Sequence, residues 1–393
     1  MNQPTELTEY TPRQFSRKEI SETAGEILWQ HYGRQVAVEF PSPKTAGRWQ
    51  LTAQGWVGHI PVTPDLTLAL QPKVALGNLF RMLEYAYNLN SLRFLDGLVD
   101  CHSLTEFFEQ LAGILARRIL DRGRKGFYRA YVPQAEPLPY VRGRLNVRDL
   151  GQTPERVRLN CHYEEHTADI EENQILAWTL FRISQSGLHG EPASRTVRQA
   201  YRALQGLVSL IPHRPEVCQG RFYHRLNEDY QPLHALCHFF LDQSGPSHQL
   251  GQRTMLPFLV DMARLYERFV AEWLKVHLPA AFELKVQEKV NLSQMRPLHF
   301  DIDLVIYRRG SGTARTVLDT KYKTPASPST DDIHQMISYA HTKGCREAIL
   351  IHPSPLPYPL DETIRGIRIR SLTFSLDRDL DQAGQTFLEN LWP

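Results

Sequence analysis

HFDIDLVIYRR (299–309) and ARTVLDTKYK (314–323), joined by GSGT, are the stretch on which the reading of the chain turns. Both segments alternate, and the linker suits a tight hairpin, so the pair predicts two adjacent strands. Successive side chains on a strand point to opposite faces. Asp301 and Asp303 therefore share one face, while Phe300, Ile302, Leu304 and Ile306 take the other. Asp319 and Lys321 share a face in the same way. Pairing of the two strands would gather carboxylates and one lysine on a single sheet face. Two close carboxylates suit Mg²⁺, a hard cation that keeps several waters. A lysine beside them can steady charge on a phosphate or orient an attacking water. A half-exposed structural strand shows the same alternation, so spacing alone leaves that plainer reading open.

Working outward, MLPFLVDMARLYERFVAEWLKVHL (255–278) carries apolar residues at three-to-four spacing and predicts an amphipathic helix. FELKVQEKVNL (282–292) alternates like a strand, DIHQMISYAHTKG (332–344) reads as a helix with Gly344 as C-cap, and EAILIHP (347–353) and GIRIRSLTFSL (366–376) as strands. Gln335 and Tyr339 lie four apart on the helix, hence on one face. The order predicts a mixed sheet with helices on its faces.

Upstream, RQVAVEF (34–40), GRWQLTAQGWVGHIPV (47–62) and LTLALQPKV (66–74) predict short strands of a small β unit, and the first forty residues show no sustained period. Helices are expected over 78–89, with Asn78 as N-cap, and over 104–120, 193–211 and 230–243. The Ser- and Gly-rich SGPSHQLGQ (244–252) marks the expected boundary, dividing the chain into 1–248 and 249–393. The fold class expected is α/β: a mixed α/β N-terminal extension followed by a C-terminal domain with a central mixed sheet.

The 393 residues allow two or three domains. Lys and Arg number 45 against 43 acids, a net charge of +2, which excludes polyanion binding by bulk charge and requires any such site to be local. No apolar run reaches the roughly 18 residues of a membrane span, and the polar N-terminus lacks a secretory layout. Five scattered cysteines fit neither a disulfide framework nor a zinc site. A cytoplasmic protein with no membrane partner is expected. The basic run at Arg117, Arg118, Arg122, Arg124, Lys125 and Arg129 is read as a phosphate contact, a solvated helix end or a contact with an acidic partner surface.

Asp303-Leu-Val-Ile, Asp319-Thr-Lys321 and Gln335-x-x-x-Tyr339 together resemble the PD-(D/E)xK nuclease motif with its trailing Q-x-x-x-Y element. The stretches GHIPV…LTLALQPKVALGNLFRMLEYAYNL, YVRGRLNVRDL, CHYEEHTADIEENQILAWTL and RLYERFVAEWL resemble, in order, segments of the McrC family, the nuclease subunits of McrBC-type modification-dependent restriction systems. The similarity runs from about residue 55 to 355. It implies a PD-(D/E)xK nuclease domain that hydrolyses double-stranded DNA with Mg²⁺, Mn²⁺ being the expected substitute. It also implies a McrB-type AAA+ GTPase partner that the N-terminal region engages. Carried over by position, Asp303 and Asp319 are metal ligands, Lys321 is the motif lysine, Glu267 is a catalytic-site glutamate, and Gln335 and Tyr339 support the site near DNA. Ile302 replaces the usual proline, and Asp301 repeats the acid, so Asp301 stands as the alternative ligand. A solvated role for Glu267 also stays open. No G-x-x-x-x-G-K-(S/T) loop occurs, so no nucleotide is expected on this chain. The competing functions are a stand-alone nuclease without methylation dependence and a non-catalytic activator of an AAA+ NTPase.

Overall fold

The computed structural model describes residues 4–87, 103–145, 158–186, 191–243, 248–250, 253–255, 257–291, 299–323 and 325–392. It divides into two compact units: Met1–Leu104 with Gly245–Pro393, and Thr105–Ser244. The first unit opens with β1 (Thr5–Thr8), β2 (Arg13–Phe15), α1 (Glu22–Tyr32), β3 (Val36–Glu39), β4 (Trp49–Ala53), β5 (Trp56–Thr63), β6 (Leu66–Gln71) and α2 (Leu76–Ala86). The expected small β unit is two sheets, one ordered β2-β4-β3 and the other built around β1-β6-β5.

The first forty residues hold more structure than their pattern announces. β1 and β2 are too short to display a period. α1 buries Ala24, Gly25, Leu28 and Tyr32, a stripe half made of small residues. Ser21 caps it by accepting the Ala24 N–H. Gly25 is there because the Trp49 ring lies where a Cβ would go.

The second unit contains α3 (Leu104–Lys125), β7 (Ala130–Leu138), β8 (Arg144–Leu145), β9 (Leu159–Thr167), α4 (Glu171–Gln185), α5 (Glu191–Leu204) and α6 (Tyr230–Asp242), with sheet order β7-β9-β8. Buried Asn173 organises it. Its Nδ2 donates to the Ala168 carbonyl at 2.7 Å and the Tyr128 carbonyl at 2.9 Å, and its Oδ1 accepts from Tyr230 Oη at 2.6 Å. Such a satisfied buried amide fixes three segments at once. Cys161, Cys218, Cys237 and Cys345 are all buried free thiols; Cys101 lies outside the described residues.

The first unit resumes with β10 (His248–Leu250), β11 (Arg253–Met255), β12 (Phe258–Asp261), α7 (Met262–His277), β13 (Phe282–Asn291), β14 (His299–Arg308), β15 (Ala314–Thr320), α8 (Thr330–Lys343), β16 (Glu347–His352), β17 (Asp361–Ile364), β18 (Ile367–Thr373) and α9 (Leu380–Leu391). Six strands form one mixed sheet, β13-β14-β15-β16-β18-β17. Strands β13, β14 and β15 are antiparallel, β15, β16 and β18 parallel, and β17 antiparallel at the edge. The architecture is mixed α/β with several sheets, as expected. No helix among the described residues is long and apolar enough to cross a membrane.

Three expectations need correction. The helix expected over 255–278 begins only at Met262, because Phe258–Asp261 pairs with β5 as a strand and Asp261 then caps the helix through the Ala263 and Arg264 N–H groups. Asn78 is not an N-cap; α2 starts earlier, and Asn78 Nδ2 donates to the Leu376 carbonyl at 2.7 Å and the Arg378 carbonyl at 2.9 Å. A single division at 248 does not describe the compact units. The reason is physical: β12 completes the N-terminal sheet, and α2 is tied to the C-terminal segment. Arg81 reaches Asp379 at 2.8 Å and Asp381 at 2.5 Å, and Tyr85 meets Phe269 edge-on at 5.7 Å. Most of the proposed boundary stretch, 244–247 and 251–252, lies outside the described residues.

Candidate active site

The hairpin expected from 299–323 forms, with Leu304 opposite Leu318 and Val305 opposite Val317. One step further, the same register puts Asp303 across from Asp319. Asp319 is 3% exposed, and the Thr320 N–H donates to Asp303 Oδ2 at 3.3 Å. The pleat alone would leave Asp301 beside them, but its carboxylate is 59% exposed and pairs with His299 Nε2 at 3.3 Å. Of the two candidate acids on β14, Asp303 is the one turned in toward Asp319.

Lys321, just past the end of β15, sits at the centre of the cluster. Its Nζ lies 2.9 Å from Asp319 Oδ2 and 3.1 Å from Asp332 Oδ1, and donates to Gln335 Oε1 at 3.3 Å. Gln335 Nε2 donates to Tyr339 Oη at 2.7 Å, and Tyr339 Oη donates to the Asp301 main-chain carbonyl at 3.0 Å. The i,i+4 pair on α8 is thus a relay from the lysine back to β14. Helix α8 is set in place by Ser329 at its N-cap, whose Oγ accepts the Asp332 N–H at 3.1 Å and donates to Asp332 Oδ2 at 2.6 Å. Asp332 spends Oδ2 on this cap and Oδ1 on Lys321.

Glu267 approaches from α7. Gln287 Nε2 donates to its Oε1 at 2.8 Å. Gln287 itself has φ +47°, a conformation that non-glycine residues seldom adopt, and the β13–β14 register skips it. Sequence reading missed Asp332 and Gln287. The first carried a signal, the S-x-x-D spacing of a capping box. The second carried none, since a strand's kink is not written in alternation.

Burial, then the neighbouring charges of Asp319 and Glu267, raises the Asp303 pKa to about 7. Burial also raises Asp319, against the pull of Lys321, and burial raises Glu267. For Lys321, burial works to lower the pKa, but Asp319 and Asp332 outweigh it and the net shift is upward. The lysine is held as a cation and the acids are crowded. Asp319 Oδ2 is fully buried and, although at ion-pair distance from Lys321, accepts no well-aligned hydrogen bond. A buried anionic oxygen without an aligned donor, next to a second carboxylate strained by like charge, fits a divalent cation. Among the described residues no three His, Cys, Asp or Glu side chains converge closely enough to hold a metal on their own.

Elsewhere, the basic run of α3 is partly committed. Arg122 pairs with Asp229 at 3.2 Å and Arg124 with Asp121 at 2.8 Å, which favours a structural helix end over a phosphate contact for these two.

A family model described as "McrBC 5-methylcytosine restriction system component" matches residues 51–353. The chain belongs to the McrBC family. That match covers the stretch whose motifs resemble McrC, and it includes every residue of the acid–lysine cluster. The chain is also 23% identical over 222 residues to the type IV methyl-directed restriction enzyme EcoKMcrBC of Escherichia coli (strain K12), covering 54% of this chain and 62% of that relative. It thus spans less than two thirds of the length of the curated McrBC relative it matches. Among solved structures it is similar to a chain of the half-complex refined from the tetradecameric assembly of Thermococcus gammatolerans McrB AAA+ hexamers with bound McrC. There the TM-score is 0.56 at 18% identity, covering 99% of this chain and 100% of that one. At that identity the likeness shows the McrBC-type fold.

Proposed function

We propose that this chain is the Mg²⁺-dependent DNA endonuclease subunit of a McrBC-like, modification-dependent restriction complex, and that its C-terminal sheet is a PD-(D/E)xK nuclease domain. The observation that carries the reading is the convergence of Asp303, Asp319 and Lys321 at the β14–β15 hairpin, in a chain of the McrBC family. Asp303 and Asp319 are the residues to hold the cation, with Glu267 behind them. Bound there, Mg²⁺ would polarise the scissile phosphate and acidify a coordinated water. Lys321, kept protonated and pinned by Asp319, Asp332 and Gln335, is placed to offset charge on the phosphate oxygens or to orient the water. Gln335 and Tyr339 fix its direction. Crowding of these carboxylates costs stability, a cost commonly met at catalytic centres.

The partner in this reading is a McrB-type AAA+ GTPase, as the solved complex pairs McrC with McrB AAA+ hexamers in its own organism. Its GTP hydrolysis would be stimulated by the region ahead of the nuclease sheet, within 1–248; the compact unit Thr105–Ser244 contains none of the acid cluster.

The test is cleavage of methylated and unmethylated plasmid by the chain mixed with a McrB-type GTPase from the same source, with GTP and Mg²⁺, and Asp319→Ala as control. Cutting of methylated DNA alone, dependent on GTP and lost in the variant, is the expected result. Cutting without partner or methylation would replace it with a stand-alone nuclease. Faster GTP hydrolysis by the partner without any cutting would make the chain a non-catalytic activator.

A further inference from the structure

Beyond Lys321 the chain lines a cavity within the same compact unit. This cavity has a volume of about 410 Å³, and its lining includes Tyr10, Lys73, Tyr322, Lys323, Ser354 and Asp377. Lys73 Nζ stands 5.0 Å and Lys323 Nζ 5.8 Å from the centroid of the same Tyr10 ring. Both lysines are exposed, and neither forms an ion pair with a described residue. Two ammonium groups thus face one aromatic ring, and Lys73 also acts at longer range on the Glu9 carboxylate.

The arrangement is built at some cost. Tyr10 has φ +56°, and its N–H donates to the Ala53 carbonyl at 2.9 Å. A tyrosine in the left-handed region persists only where its surroundings over-determine it. Gly55, at φ +75°, has no Cβ, and one there would overlap the Tyr10 hydroxyl. Nearby, Glu9 is fully buried, and its Oε2 accepts the Tyr322 O–H at 3.0 Å and the Lys73 N–H at 3.0 Å. This one carboxylate ties the N-terminal strands to the segment that carries Lys323. The β unit therefore does more than cover the nuclease sheet: it supplies half of the cavity's cations and its ring.

We propose that this cavity holds a phosphate of the DNA strand flanking the scissile position, with the adjoining base against Tyr10. Lysine ammoniums bind phosphate as point charges, and aromatic rings stack bases without sequence preference. The ring beside the lysines favours a strand, which offers a base as well as a phosphate, over a free phosphate. Asp377, whose Oδ2 accepts Ser354 Oγ at 3.3 Å, and Glu9, which the Lys73 charge reaches, offset part of the lysine charge. Lys323 follows Lys321 by two residues, at most about 7 Å of chain, so a phosphate held here is near the one at the acid cluster. The cavity is then a positioning subsite that sets where along the strand the cut falls. The inference rests on the nuclease reading only for the identity of the strand.

The test uses the full chain without divalent metal, so that binding is read in the absence of cleavage. Anisotropy of a labelled DNA oligonucleotide is followed against salt, with inorganic phosphate titrated separately. Lys73→Ala with Lys323→Ala should weaken oligonucleotide binding at least tenfold and reduce the log–log salt slope by about 0.7–0.9, for one phosphate contact. Asp377→Asn should tighten binding several-fold. Unchanged affinity and slope in the double variant, with its melting temperature also unchanged, overturns the proposal. Loss of inorganic phosphate binding with unaltered oligonucleotide binding overturns it too, and assigns the cavity to a free anion. If Asp319→Ala still cleaves DNA, the nuclease assignment falls while the binding result stands by itself.

Discussion

Lys321 Nζ lies 2.9 Å from Asp319 Oδ2, so the motif lysine is pinned to the motif acid two residues before it. The contact keeps the lysine charged and leaves one oxygen of a buried carboxylate committed to charge pairing alone. Replacing either group separates function from fold. Asp319→Asn and Lys321→Met should each lower Mg²⁺-dependent cleavage by about 10²-fold or more, the scale of losing one electrostatic group at a reacting centre. Asp303→Asn should do the same while raising the melting temperature, because it removes one of three crowded acids. A melting temperature lowered by Asp303→Asn would mean that its charge is structurally compensated.

Asp332 joins the helix cap to the lysine, and the two roles can be parted. Ser329→Ala removes the cap and should cost about 1 kcal/mol of stability with cleavage nearly unchanged. Asp332→Ala removes the cap and the 3.1 Å contact to Lys321, so it should cost a similar stability and in addition lower cleavage about tenfold. Chemical denaturation and single-turnover cleavage on the same two variants decide it. Equal cleavage in both would leave Asp332 as a cap only.

How far the sequence foretells these relationships depends on how local they are. The β14–β15 hairpin, the α8 pair Gln335 and Tyr339, and the Gly344 cap at φ +68° were all readable, because each is set by residues a few positions apart. Strand parity puts Asp301 and Asp303 on one face, but nothing in it marks that Asp301 turns outward to His299. Nor does parity reach the tie between Glu9 and Tyr322, whose separation of 313 positions leaves no periodic trace. The merging of the N-terminal sheet with the C-terminal segment escaped for the same reason: the four residues of β12 look like the start of a helix until β5 is there to pair with them.

His234, fully buried in the Thr105–Ser244 unit, supplies a pH dependence remote from the acid cluster. Tyr223 Oη is 2.9 Å from its Nδ1 and the Glu172 carbonyl 3.1 Å from its Nε2, which fits a neutral ring that donates from Nε2 and accepts at Nδ1. Burial depresses its pKa to about 4, against 6.5 unperturbed. The unfolded chain therefore takes up a proton that the folded chain refuses, and stability falls as pH drops from about 6.5 toward 4. His234→Gln can keep both hydrogen bonds without titrating. Urea unfolding at pH 7 and pH 5 should show the wild type losing about 1–2 kcal/mol more than the variant over that interval. Parallel losses in the two proteins would place the acid sensitivity elsewhere.

Gly384 in α9 lies against the Trp273 ring of α7, where a Cβ would overlap the indole. Trp273 cannot step aside: it is 1% exposed, stacks on His277 at 4.1 Å and meets Phe374 edge-on at 5.1 Å. Two effects oppose each other in Gly384→Ala. Helix propensity favours alanine by about 1 kcal/mol, and overpacking of a filled core costs about 1–3 kcal/mol. With the indole walled in, overpacking should win, and the variant should lose about 1–2 kcal/mol net. Gly77 in α2 offers the matched control, because no heavy atom lies within 4 Å of the position its Cβ would take. Gly77→Ala should therefore gain about 0.5–1 kcal/mol from propensity alone. Opposite signs for the two substitutions in thermal unfolding are the expected result, and a stabilising Gly384→Ala would show that the α7–α9 contact yields.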